Sequence, residues 1–219
     1  MSEKKLALDE KELELIRKAG TKVHYPKNHI IFAAGDFANR VYLIEEGWVK
    51  NYRLDTEGRK VTAGNIRNPG ELVGLAEALY QGERMCFASS LTEVSLVHLT
   101  NKQFIDILHE HNSLTLKVAI IMAARFRKSE EMSHELVCLQ VPGRLASVLL
   151  RLANSCGMET DGGIKLGLRL THEEIASMIG TSRQTVTSIL SMFKQENSVS
   201  IENREIKILD VKKLSSWLV

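Results

Sequence analysis

Residues 171–191, THEEIASMIGTSRQTVTSILS, spell two short helices and the turn between them. Thr171 followed three residues later by Glu174 makes a capping box, in which the hydroxyl and the carboxylate satisfy backbone N–H groups at a helix start. Ile175, Met178 and Ile179 give that helix one apolar face. Gly180 supplies the left-handed backbone that a tight inter-helix turn needs, and Ser182 caps a second helix with Val186, Ile189, Leu190 and Phe193 on its apolar side. Arg183, Gln184, Thr187 and Ser188 fall between those positions and form a polar face at the second helix's N-terminal end, which is where a helix-turn-helix meets base edges. The Arg183 guanidinium fork matches guanine O6 and N7, and the Gln184 amide matches adenine N6 and N7. Thr187 and Ser188 are less selective. Taken alone, the segment also fits a plain helical hairpin with a solvated polar face.

The flanks favour the DNA-reading interpretation. Residues 199–210, VSIENREIKILD, hold two alternating apolar runs around Glu202-Asn203-Arg204, which predicts a β-hairpin placed as a wing. Lys194, Arg204 and Lys207 are candidates for contact with phosphate oxygens beside the groove.

The whole chain sets the bounds. Its 219 residues, 44% hydrophobic and 26% charged, suffice for two modest folded domains. The N-terminal stretch MSEKKLALDEKELELIRKAG is charged throughout, so neither a signal peptide nor a membrane span is expected, and the expected compartment is the cytoplasm. Cys86, Cys138 and Cys156 are too few and too scattered for a disulfide framework, a Cys-rich zinc site or an iron–sulfur cluster. The net charge of +2 resides in residues 142–219, the part that carries the DNA-reading segment.

Asp9 and Glu12 make a second capping box, opening a short helix with Leu13 and Ile16 inward. From Lys22 to Leu99 short apolar or alternating runs follow one another: KVHY, HIIF, RVYLI, WVKNYRL, KVTAGNI, ELVGL, MCFASSL and VSLVHL. Glycines 35, 47, 58, 70 and 82 punctuate them at eleven- or twelve-residue intervals, which predicts an antiparallel barrel or roll. Helical pattern returns with Phe104, Ile105 and Leu108, and then a long helix runs from about Ser113 to Gln140. Met122, Phe126, Ser129, Met132, Leu136 and Leu139 are spaced 4, 3, 3, 4 and 3, approximating a coiled-coil seam against a second copy. Pro142-Gly143 breaks that helix and marks a hinge. Leu145, Val148, Leu149 and Leu152 start another amphipathic helix, and a small connector from Gly157 to Leu170 leads into the helix-turn-helix. The predicted class is α+β: an N-terminal antiparallel β-roll of the cyclic-nucleotide-binding kind (1–111), a long dimerisation helix (112–141) and a C-terminal winged helix-turn-helix (142–219).

This order, with RVYLIEEGWVKNYRLDTEGRK at 40–60, PGELVGL at 69–75 and SRQTV at 182–186, resembles the catabolite activator protein/FNR family of bacterial transcription regulators over essentially the full chain. The resemblance implies an effector-binding roll, a homodimer joined by paired long helices, a palindromic double-stranded DNA operator and RNA polymerase as a partner. It also implies that Thr171, Ser182, Arg183, Gln184, Thr187 and Ser188 contact DNA, Ser182 through phosphate and Arg183 through a guanine. Gln184 stands where many members have Glu, and Ser188 replaces an Arg of the activator protein, so the operator is expected to differ at the base pair read by Gln184.

The effector cassette departs from the family. Gly70, Glu71 and Leu72 match its Gly-Glu-Leu turn, but Arg84 lies thirteen residues after Glu71 instead of ten, and Met85 follows it where Ser or Thr is the rule. Glu130, beside Ser129, adds a carboxylate near the place of a nucleobase. The preferred effector is therefore a small organic anion held by Arg84 and backbone amides near Met85, Cys86 and Phe87, not cyclic AMP. His24, His29, His98 and His134 are the candidate axial ligands for the haem alternative. A cyclic-nucleotide-dependent regulator and a constitutive DNA-binding protein with a structural roll are the remaining alternatives. No phosphate loop, nucleophile motif or paired metal-binding carboxylates point to an enzyme.

Overall fold

A computed structural model describes residues 7–64 and 66–218. The first six residues of the charged N-terminal stretch, Asn65 in the KVTAGNI run, and Val219 lie outside the described residues. The chain forms two compact units, residues 1–59 with 63–130, and residues 60–62 with 131–219.

The first unit opens with helix α1 (Glu10–Ala19), capped by Asp9 in the predicted box with Glu12. Along the chain eight strands follow: β1 (Thr21–Tyr25), β2 (Ile30–Phe32), β3 (Arg40–Glu46), β4 (Val49–Leu54), β5 (Lys60–Thr62), which is grouped with the second unit, β6 (Leu72–Val73), β7 (Phe87–Ser90) and β8 (Val94–Thr100). Helix α2 (Leu75–Tyr80) sits between β6 and β7. The strands pair into two four-stranded sheets, in the orders β1-β8-β3-β6 and β2-β7-β4-β5. All eight apolar runs read from the sequence contribute a strand. The unbroken run Val41-Tyr42-Leu43-Ile44 has a simple cause, since both faces of β3 are covered. Val41 and Leu43 pack with Leu99, Phe104 and Leu114, whereas Tyr42 and Ile44 pack with Phe32, Val49, Ala88 and Leu96.

Thr100 and Gln103 form a further capping box that starts α3 (Asn101–Glu110). The long helix is α4 (Asn112–Cys138). Leu114 and Val118 are buried in the core of the first unit, with Ile121 and Met122 packed against it. This corrects the predicted seam. Met122 faces inward, and the exposed stripe is Leu116, Ala119, Ala123, Phe126, Glu130, Ser133 and Val137, spaced 3, 4, 3, 4, 3 and 4. The helix is apolar on two sides, so periodicity alone did not distinguish the side claimed by the roll from the side left outward.

In the second unit, α5 (Val141–Cys156) begins just after α4 ends, with Pro142 in its first turn, where a missing N–H costs nothing. Gly143 is there for space: a Cβ would meet the Trp217 carbonyl oxygen at 2.5 Å. The two compact units divide between Glu130 and Glu131, inside α4. The Glu135 carboxylate explains why, because it accepts from Ser147 Oγ at 2.8 Å and from Arg151 Nη1 at 2.6 Å, fastening the last turns of α4 to α5.

The predicted connector is itself structured. Strands β9 (Gly157–Thr160) and β10 (Gly163–Leu166) join β11 (Val199–Glu202) and β12 (Glu205–Ile208) in one sheet, ordered β11-β12-β10-β9. The wing is thus half of a four-stranded sheet. The sheet packs on α5 through β9 and β10 and on α7 (Arg183–Gln195) through β11, helix α6 (His172–Ile179) packs on α5 and α7, and a short helix α8 (Val211–Ser215) is followed by a 3-10 turn.

Candidate nucleic-acid interface and effector cradle

Thr171 caps α6 as expected, its Oγ1 accepting from the Glu174 N–H at 3.1 Å while its own N–H donates to the Glu174 carboxylate at 2.7 Å. Gly180 terminates α6 with φ of 64°, the left-handed conformation that turns the chain into α7. Ser182 then accepts from the Thr185 N–H at 3.1 Å and fixes where α7 starts. Val186, Ile189, Leu190 and Phe193 are buried, and Arg183, Gln184, Thr187 and Ser188 are exposed together on the other face. Thr187 and Ser188 donate their hydroxyl protons back to the carbonyls of Arg183 and Gln184, at 2.9 and 3.2 Å.

At the wing tip Asn203 and Arg204 both adopt left-handed backbone, with φ of 50° and 66°, the pairing that matches a two-residue hairpin turn to strand twist. Arg204 and Arg183 share a cavity of about 560 Å³ with Leu170, Thr171, His172, Glu173, Ile201 and Ile206. Lys194 is exposed, and the Lys207 ammonium gives one of its three protons to the Asp161 carbonyl. On the same hairpin, Lys165 and Arg169 bracket the Glu205 carboxylate and hold its pKa below the usual carboxylate range.

In the first unit the predicted effector residues do not converge. The Gly70 N–H donates to the Ile44 carbonyl at 2.8 Å and the Glu71 N–H to the Asn68 carbonyl at 3.1 Å, so neither amide is open to an anion. Arg84 is buried as well. Its Nη1 donates to the Gly74 carbonyl at 2.8 Å, its Nη2 to the Arg40 carbonyl, and its guanidinium lies 4.2 Å from the centroid of the Phe32 ring. Burial lowers its pKa, opposed by Glu77 at 3.7 Å. Arg84 thus braces the roll, and Met85 beside it is exposed. Leu72 is buried in the core, while Ser129 and Glu130 stand exposed on α4, Glu130 on the outward stripe.

A different arginine reaches the Gly70-Glu71-Leu72 turn. Arg125 enters from α4 and donates to the Leu72 carbonyl at 2.6 Å. Burial pushes its pKa down to about 10, Arg67 acts in the same direction and Glu71 opposes. Glu71 is shared, with one carboxylate oxygen 4.0 Å from Arg67 and accepting from the Asn68 N–H at 3.2 Å. Among the described residues Arg125 forms no ion pair, so two guanidiniums face one carboxylate. The signal was present in the sequence: Arg125 follows Val118 and Ile121 at helical spacing, a cation on the core-facing stripe.

Among the described residues no three His, Cys, Asp or Glu side chains are placed to hold a metal ion. His29 stacks on Tyr25, His98 lies against Tyr42, and His134 Nε2 is 3.3 Å from Cys138 Sγ. No helix among the described residues is long and apolar enough to cross a membrane.

Residues 143–217 match the model of the Crp-like helix-turn-helix domain, and residues 22–111 match the cyclic nucleotide-binding domain. The CRP-like cAMP-activated global transcriptional regulator of Mycobacterium tuberculosis is 30% identical over 193 residues, covering 88% of this chain and 86% of that protein. The chain belongs to the CRP/FNR family. The global nitrogen regulator of Synechocystis sp. is 31% identical over 185 residues, 84% of this chain and 82% of its own. FixK2 from Bradyrhizobium japonicum shares the CRP/FNR fold with a TM-score of 0.81 at 20% identity, over 91% of this chain and 98% of that one. These curated relatives are transcriptional regulators and not enzymes, and this CRP/FNR chain is a DNA-binding transcriptional regulator with a cyclic-nucleotide-binding-like domain.

Proposed function

We propose that the chain acts in the cytoplasm as a homodimer that places two α7 helices on a palindromic operator and contacts RNA polymerase. Thr171, Ser182, Arg183, Gln184, Thr187 and Ser188 are its DNA contacts, and a small organic anion, not cyclic AMP, is its input. The outward stripe of α4 supports the dimer: small residues at 119, 123 and 133 between Leu116, Phe126 and Val137 suit close helix pairing.

The observation that carries the effector reading is Arg125, a half-buried guanidinium with one carbonyl acceptor and a second arginine nearby. An unpaired buried charge is costly, and a carboxylate or phosphate accepting a bidentate pair from it removes that cost. A cyclic phosphate held in the family manner needs an arginine free to meet it, and Arg84 is engaged with two carbonyls and an aromatic ring.

Isothermal titration with cyclic AMP, a phosphate monoester and small di- and tricarboxylates, paired with operator titrations, tests this. One of the simple anions is expected to bind and to change operator affinity by roughly 5- to 150-fold, with both effects lost in Arg125→Ala. Micromolar binding of cyclic AMP overturns the effector assignment. An operator affinity indifferent to every ligand and to cell extract overturns the sensor reading in favour of a structural roll.

A further inference from the structure

His172, the first residue of α6, touches the exposed face of α7. Its Nδ1 lies 2.7 Å from Thr187 Oγ1, which in turn lies 2.9 Å from the Arg183 carbonyl oxygen. A carbonyl only accepts, so the single hydroxyl proton of Thr187 goes to Arg183. Nδ1 of His172 then carries the proton of the second hydrogen bond and donates it to Oγ1. Thr187 is therefore held from both sides. It has no proton to offer a base acceptor such as thymine O4, guanine O6 or a purine N7, so what this exposed residue keeps for the groove is its methyl group and one lone pair on Oγ1.

Ser188 and Ser191, on the same helix, donate to the carbonyls four residues before them in the same way, at 3.2 and 2.9 Å. Thr187 differs in being gripped from a second helix. His172 also borders the cavity shared by Arg183 and the wing's Arg204, which puts the pair at the rim of the proposed groove-facing surface.

From this geometry we infer that His172 is a positioning residue for sequence specificity: by clamping the Thr187 hydroxyl it makes Thr187 a methyl reader, and each half-site carries a thymine opposite it. The inference rests on α7 being the recognition helix. Thymine is the base that presents a C5-methyl group in the major groove, and burying one methyl against another corresponds to about fourfold in affinity.

The test uses the full chain. Operators are selected from random duplex DNA at protein concentrations that saturate binding, because an effector changes the population of the binding-competent form and not the contacts it makes. Thymine is then replaced by deoxyuracil, which lacks only the methyl, at each thymine of the selected half-site in turn. One position is expected to lose about fourfold in wild type. Thr187→Ser, which deletes the methyl, should abolish that loss, and so should His172→Ala, which removes the second grip on Oγ1 and lets the Thr187 side chain rotate its methyl away. His172→Asn, whose amide N–H can take the place of Nδ1–H, should restore it. In Thr187→Val the loss should persist and no longer depend on His172. A half-site without thymine, or deoxyuracil and thymine bound equally at every position, overturns the inference. So does a His172→Ala variant that weakens both bases alike, the signature of a phosphate contact. Selectivity that survives Arg183→Ala instead overturns α7 as the recognition helix, a failure distinguishable from the others.

Discussion

On α7 the side chains of Arg183, Gln184, Thr187 and Ser188 stand exposed side by side, whereas in the roll Gly70, Glu71 and Arg84 turn their N–H groups toward neighbouring carbonyls. The first set is brought together by one helix, with spacing that follows from 3.6 residues per turn. The second set depends on how three separate strands and α2 close around one another, and there the polar groups serve the fold. A sequence motif can thus be retained for architecture while the uncompensated charge comes from elsewhere, here from Arg125 on α4.

The largest expected effect concerns the outward stripe of α4, the surface that would let two reading helices act together. Phe126→Glu puts a charge at an exposed position, so the single chain should fold as before. Its dimer should be lost in sedimentation, and affinity for a two-half-site operator should fall on the order of a hundredfold or more, because the second half-site no longer binds intramolecularly. A monomeric variant with unchanged operator affinity would break the link between the stripe and the output.

Two arginines of the same unit make the contrast sharper. Arg84→Ala leaves the Gly74 and Arg40 carbonyls without their donor and uncovers the Phe32 ring, so chemical denaturation should show a loss of about 3 kcal/mol. Arg125→Met removes a half-buried charge that lacks an ion pair and fills similar volume with apolar atoms, so stability should rise by about 1 kcal/mol while the effector response disappears. If both variants lose several kcal/mol, Arg125 is a brace like Arg84 and the effector reading fails.

How much was legible in the sequence follows the same division. The capping boxes at Asp9 and Thr171, the turn at Gly180 and the buried set Val186, Ile189, Leu190 and Phe193 are local, each decided within a few residues, and the structure has all of them. The eight strands were legible because both faces of the roll are covered or punctuated by turns. Three features were not legible. The seam on α4 was displaced because Met122 and Phe126 are equally apolar, and only the roll decides which is covered. Strands β9 and β10 are short, and β9 is exposed throughout, so no buried alternation marked them. The commitment of Lys207 to the Asp161 carbonyl, like that of Arg84 to Gly74, depends on partners 46 and 10 residues away.

The smallest effect gives the most controlled comparison, because the same chemistry occurs once in each unit. Thr100 with Gln103 and Thr171 with Glu174 are both complete capping boxes, each returning the N-cap N–H to the third residue of its helix. Replacing either threonine by alanine deletes one acceptor for a backbone N–H and should cost about 1 kcal/mol. The consequences should nevertheless differ. Helix α3 contributes Phe104, Ile107 and Leu108 to the main core of its unit, so Thr100→Ala should lower the resistance of the β8 amides to hydrogen exchange together with those of α3. Helix α6 carries the His172 that grips Thr187, so Thr171→Ala should speed exchange in α6 and weaken operator binding severalfold with the roll's exchange unchanged. Equal protection changes in both units for both variants would mean that the two units unfold as one, and the division between a structural input cassette and an exposed output face would have no counterpart in their energetics.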